Sequence, residues 1–212
     1  MIWGMDSIYE ILRKYSKGFL FGIILLSLLG AGCLNLETEP EYTNEYYQTS
    51  MYKIDTGLYS YYKNQNHYNV NLSHYTDSKY DDQVISDIVR YIRKQSKSDD
   101  DCVYNIIKYV QSIPYVEDKN GEIKYPIETI LEGGDCEDTA ILAAVLIAEA
   151  GYDVIILEYP THAAIGLYGH NIGGTYYPYN GRNYYYVETT APGWRIGQQS
   201  VNYSTAKIHR VY

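Results

Sequence analysis

Residues 133–151 constrain this chain more than any other stretch. Gly133-Gly134 makes a flexible turn that allows close backbone approach. Asp135 is a good helix N-cap, and Asp138, three residues on, can complete a capping-box-like start. An apolar run follows at once, through Ile141, Leu142, Ala144, Val145, Leu146, Ile147 and Ala148, and Gly151 is its natural stop. The pattern predicts a largely buried helix with Cys136 in its first turn. The rest of the chain must supply the surfaces that cover it.

Candidates for that cover stand on both sides. Upstream, Val84, Ile85, Ile88, Val89 and Ile92 form one helical stripe starting from Asp81. A second helix is predicted from about Asp99 to Ser112, with Cys102, Val103, Ile106, Ile107 and Val110 as its stripe. Cys102 thus reads as a buried small hydrophobe. Downstream, Asp153-Val154-Ile155-Ile156-Leu157-Glu158 reads as a buried strand that Pro160 breaks. Thr161 to Leu167 reads as a second strand with His162 at its start. A Gly/Asn-rich turn through Gly173-Gly174 and Gly181 leads to a third strand, Tyr184 to Thr190, with Tyr184, Tyr186 and Glu188 on one face. The expected class is α+β.

A length of 212 residues suits one medium domain plus an appendage. Apolar content of 46% against 20% charged predicts a globular core. A net charge of −9, with no Lys/Arg cluster beyond the N-terminus, excludes nucleic acid as a partner. The three cysteines, Cys33, Cys102 and Cys136, are too sparse for a disulfide framework or a zinc site. Calcium would need a carboxylate-rich loop, and Asp99-Asp100-Asp101 reads better as a helix start. No metal and no cofactor are expected. The 28 tyrosines, against two Phe and two Trp, suit either a binding surface or a compositional habit.

Between Lys17 and Glu37 no residue is charged, and residues 18–36 are just long enough to cross a bilayer as a helix. Arg13, Lys14 and Lys17 precede the run, while Glu37, Glu39 and Glu41 follow it. That asymmetry places the bulk of the chain on the extracytoplasmic side of the cell membrane. The stretch Leu28-Leu29-Gly30-Ala31-Gly32-Cys33 is similar to a bacterial-type lipobox, so the segment is either a lipoprotein signal or an uncleaved anchor. The division expected is a cytoplasmic segment at 1–17, the membrane segment at 18–36, a Tyr/Asn-rich spacer at 37–80 and a folded domain at 81–212. Asn71-Leu72-Ser73 and Asn202-Tyr203-Ser204 are glycosylation sequons on the side where they could be used.

The helix start gives Cys136 chemical meaning. Unpaired N–H groups and the helix dipole favour a thiolate there, and the same groups can hold a developing oxyanion. Asp135, Glu137 and Asp138 oppose it, so a positive partner is needed. A helix followed by antiparallel strands can bring Cys136, His162 and Glu188 together as nucleophile, base and orienting acid. His170 is the rival base, and Glu188 could instead be a solvated strand carboxylate. His67, His74 and His209 read as surface residues.

Four pieces in order carry a resemblance. They are Gln111-Ser112-Ile113-Pro114-Tyr115, Gly134-Asp135-Cys136-Glu137-Asp138, His162-Ala163-Ala164 and Tyr186-Val187-Glu188-Thr189-Thr190. The segment from about Tyr109 to Gln198 resembles the transglutaminase-like superfamily, which includes bacterial transglutaminase-like cysteine proteinases. The resemblance implies a papain-like core, with the cysteine's helix packed on an antiparallel sheet that bears the other two residues. It implies acyl chemistry on a protein or peptide substrate through a thioester on Cys136. Water as acceptor makes a peptidase or amidase, and an amine makes a transglutaminase. A non-catalytic binding module on the same fold is the alternative. The family usually has Asp at the third position, where this chain has Glu188.

Overall fold

The computed structural model describes residues 38–78, 80–118, 120–169, 172–199 and 205–211. The charge-free run, Cys33, His170 and the sequon at Asn202 lie outside them. Two compact units divide the chain, Met1–Thr38 and Glu39–Tyr212, and every element below belongs to the second. Among the described residues no helix is long and apolar enough to cross a membrane.

The unit opens on a short antiparallel hairpin, β1 (Tyr46–Gln48) with β2 (Lys53–Asp55). Asp55 then caps α1 (Thr56–Lys63) by accepting the Gly57 N–H at 2.7 Å. The same carboxylate takes the N–H groups of Thr43 and Asn44, which ties the entering chain to the helix start. A single 3₁₀ turn, Leu72–Tyr75, follows. The two stripes seen in the sequence become α2 (Asp82–Gln95) and α3 (Asp99–Gln111), with the predicted apolar residues buried in each. Ser98 caps α3 by accepting from Asp101 N–H at 3.1 Å. Cys102 is fully buried, as its place on the stripe requires.

Next come α4 (Pro126–Glu132), with proline in its first turn, and α5 (Cys136–Glu149). The sheet closes the chain: β3 (Val154–Tyr159), β4 (His162–Tyr168), β5 (Tyr176–Tyr179), β6 (Arg182–Val187) and β7 (Lys207–Arg210). Its order is β5-β6-β4-β3-β7, antiparallel throughout. The unit is therefore a mixed helix-and-sheet fold, with α5 at its centre against β3, β4 and the helices α2, α3 and α4.

Ile141, Leu142, Leu146 and Ile147 of α5 have no exposed surface. Burial of each such side chain contributes about 1.5–3 kcal/mol. The strands alternate as a sheet with two covered faces must. Val154, Ile156, Ala163, Ile165, Leu167 and Val187 face the helices. Ile155, Leu157, Tyr159, Ala164, Tyr184 and Tyr186 build a second cluster on the opposite face.

Three expectations are corrected. The stretch 37–80 is not a spacer throughout: Ile54, Leu58, Tyr62, Leu72 and Tyr75 are buried in the main core. Tyrosine-rich segments hide their periodicity, because each ring can bury while its hydroxyl stays bonded. The Gly/Asn-rich turn holds a strand of its own, since Tyr176–Tyr179 pairs with β6 around the Asn180-Gly181 turn. His209 is no surface residue. It is buried on β7, with Nε2 at Glu158 and Nδ1 3.1 Å from the Asn71 amide oxygen. His67, half-buried, likewise spends its Nε2 on the buried Glu128 at 2.8 Å.

Candidate active site

The turn before α5 is held by backbone. Gly133 has φ 79°, and a Cβ there would overlap the Pro114 carbonyl oxygen, so a side chain is excluded on both counts. Gly134 N–H donates to Pro114 O at 3.2 Å, and Gly134 O accepts from Val116 N–H at 3.0 Å. The segment 114–116 thus runs beside the turn that leads into Cys136 and leaves Tyr115 half exposed next to it.

Asp138 serves this turn three times over. Its carboxylate accepts from Asp135 N–H at 3.2 Å and from Lys124 N–H at 2.7 Å, with the Lys124 ammonium 3.7 Å away. Lys124 Nζ also donates to Gly133 O at 2.9 Å.

Cys136 stands at the first position of α5, with only 8% of its surface exposed. Its thiol donates to Glu137 Oε2 at 2.7 Å. Burial first, then the Glu137 carboxylate, push the thiol well above the ordinary range, while the Ala163 N–H at the sulfur works the other way. The sulfur therefore lies against the backbone of β4 one residue past His162.

His162 opens β4 and faces Glu188 across the end of β6. Its Nε2 is 3.0 Å from Glu188 Oε2. Tyr159 stacks on the imidazole at 6.4 Å between ring centroids and 12° between planes. Glu188 lies one residue beyond β6, in a nest of donors. Oε2 accepts from Tyr186 OH at 2.7 Å, and Oε1 accepts from Thr189 N–H, Thr190 N–H and the Thr190 hydroxyl at 3.0, 3.2 and 2.8 Å. Burial alone would raise this carboxyl. The bonds from His162 and Tyr186 outweigh burial and hold it down at about 2. A carboxylate gripped this way is no solvated strand residue.

The structure thus brings His162 and Glu188 into direct contact and sets Cys136 beside the same strand start. Residues that the sequence did not single out for this site complete it. Gln111, on the buried stripe of α3, donates its amide to the carbonyl oxygens of Glu188 at 2.8 Å and Trp194 at 3.2 Å. A polar side chain at a stripe position was the available signal. The Thr139 and Thr189 hydroxyls lie 3.0 Å apart and join α5 to the strand end. Asp135, Cys136 and Glu137 bring ligand atoms within 4.8 Å of one another, a set chemically able to hold a divalent cation.

No family model matches the chain, and no curated protein does. Among solved structures, Legionella pneumophila LapG aligns over 60% of this chain and 76% of its own, at 15% identity and a TM-score of 0.38. That superposition is partial, and the site is read from its own geometry.

Proposed function

We propose that this chain is a thiol hydrolase, a peptidase or amidase, working through Cys136, His162 and Glu188 on a papain-like, transglutaminase-like core. The observation that carries the reading is the His162–Glu188 contact at 3.0 Å, made by a carboxylate with four further donors, at the strand start where the Cys136 sulfur meets the Ala163 N–H. A structural carboxylate has no need to hold an imidazole beside a cysteine at a helix N-terminus.

With Nε2 given to Glu188, Nδ1 of His162 takes the thiol proton. The thiolate attacks the substrate carbonyl carbon, and the oxygen's charge falls to N–H groups at the start of α5. His162 returns its proton to the leaving amine, so the C–N bond breaks and a thioester remains on Cys136. Water, deprotonated by His162, attacks that thioester, and cleavage of the C–S bond frees the acid. Glu188, its carboxyl held down at about 2 by the bonds from His162 and Tyr186, fixes the orientation of the ring. The His162 side chain is 20% exposed, which lets water reach it as acceptor. The domain belongs outside the cell membrane, carried by residues 18–36, on the strength of the Arg13-Lys14-Lys17 and Glu37-Glu39-Glu41 asymmetry.

The test is the rate of Cys136 alkylation by iodoacetamide against pH, read at the Cys136 peptide by mass spectrometry. Expected is a plateau of fast reaction below the free-thiol pKa of about 8.5, absent in His162→Ala and unchanged in Cys102→Ser. A simple thiol titration that ignores His162 would sink the proposal.

A further inference from the structure

Gln111 touches more than the acid of the site. Its side chain also forms part of the wall of a cavity of about 500 Å³. Tyr104, Ile107 and Lys108 of α3 line one side, and Trp194, Arg195 and Ile196 line the other. The loop is fixed before any ligand arrives. Gly197 N–H donates to Tyr186 O at 2.7 Å, and Gly197 O accepts from Thr175 N–H at 2.8 Å. A Cβ on Gly174 or Gly197 would overlap the backbone facing it, so the two segments pack at a separation that only glycine permits. A second hollow, of about 680 Å³, shares Gly193, Arg195 and Ile196 and continues past Ile172 and Gln198. Arg195 therefore belongs to the wall of both recesses.

The charge of the wall is the reverse of the molecule's. The chain carries −9 overall, yet Lys108 and Arg195 are the charged residues lining the first cavity, and both are exposed. Elsewhere Lys63, Arg90, Arg93, Lys124, Arg182 and Lys207 sit in ion pairs, whereas Lys53, Lys94 and Lys97 show none among the described residues. Lys108 and Arg195 likewise have no ion pair among the described residues, and they are the two that face each other across one recess. Beside them lie Trp194, Ile107 and Ile196, partly or wholly apolar.

We propose that this groove binds the peptide substrate through an acidic side chain, its carboxylate between Lys108 and Arg195 and an apolar neighbour against Trp194 and Ile107. This rests on the hydrolase reading and names its substrate class. Gln111 couples the two sites, because one amide nitrogen bonds both the Trp194 and the Glu188 carbonyl oxygens.

The test is equilibrium binding to full-length Cys136→Ala protein in nonionic detergent, by fluorescence anisotropy. The probe is a short fluorescein-labelled peptide with Glu and Phe in an alanine-glycine background. Replacing its Glu by Gln weakens binding about tenfold, the scale of a good charge-assisted contact, and replacing it by Lys weakens it further. The double substitution Lys108→Glu and Arg195→Glu inverts the order, so the Lys peptide binds best. Both positions are exposed, which leaves the fold intact, and Lys108→Gln with Arg195→Gln serves as the milder pair. Free glutamate at equal concentration does not displace the peptide. Equal binding of the Glu and Gln peptides, an order unmoved by charge reversal, or displacement by free glutamate overturns the proposal. Alkylation of wild-type Cys136 separates the two readings. Charge-ordered binding beside an ordinary thiol titration sinks the hydrolase and leaves the groove. A thiolate plateau beside charge-blind binding does the opposite.

Discussion

Cys136 has two neighbours that want opposite things of its proton. Glu137, at 2.7 Å, accepts it without helping to remove it, and its negative charge raises the thiol's pKa. His162, backed by Glu188, is the group that can take it. Glu137→Gln removes a charge and keeps the shape. The acid edge of the Cys136 alkylation plateau is therefore expected to move down by about one pH unit, one pKa unit's worth, and an unmoved edge would show that Glu137 does not restrain the thiol. Glu188→Gln keeps the hydrogen-bonding shape but loses the charge that favours imidazolium. Peptide hydrolysis by that variant is expected to fall about 10³-fold or more, with the alkylation plateau lost in parallel. The placement of Cys136 at a helix start and of His162 at a strand start was legible in the sequence, because each sits where an element begins and carries chemistry that its apolar neighbours do not. The grip on Glu188 was not legible. Two of its donors are backbone N–H groups and the others come from Tyr186, Thr190 and His162, so nothing in a linear pattern marks them as converging.

At the scale of elements, stripes decided what could be foreseen. α2, α3 and α5 follow from apolar spacing and caps, and β3 and β4 follow from a run broken by Pro160. β5 escaped because Tyr176-Tyr177-Pro178-Tyr179 holds a proline and lies between glycines. It is an outer strand of the sheet, where proline is tolerated. β7 is four residues whose partner is about fifty positions earlier, and no local signal reports such a pairing. α4 spans seven residues, too short for a periodic stripe. Gln111 binds α3 to both the strand end and the Trp194 loop. Gln111→Leu preserves most of its bulk and strands two carbonyl oxygens. A loss of about 1–3 kcal/mol in urea unfolding is expected, together with a lower kcat for peptide hydrolysis. A variant of unchanged stability would mean that water replaces the amide.

For the molecule as a whole, the carboxyl groups set an uncommon dependence on pH. Asp81 and Asp135 keep their protons to about 7 and Asp138 to about 6, burial being the largest cause for each, whereas their ordinary value is 3.8. Across that interval the folded state binds more protons than the unfolded chain, so stability declines as pH rises from about 4 to 7. Glu188 runs the other way. Held at about 2 against an ordinary 4.5, it adds stability that is complete above 4.5 and is lost as pH falls toward 2. Thermal melting should therefore show its highest Tm at about pH 4–5. Asp81→Asn should flatten the limb above it, since one buried Asp81 oxygen has no hydrogen-bond partner. A Tm that climbs from pH 4 to 7 would contradict this. Removing residues 46–63 should abolish cooperative unfolding, because Ile54, Leu58 and Tyr62 belong to the main core. The Trp194 loop has an optical consequence of its own. Trp194 is the single tryptophan in residues 39–212, set among a crowd of tyrosines whose emission overlaps indole absorption. Light absorbed across the unit drains to one emitter at the edge of the groove, so its colour and brightness report on that loop without any added dye.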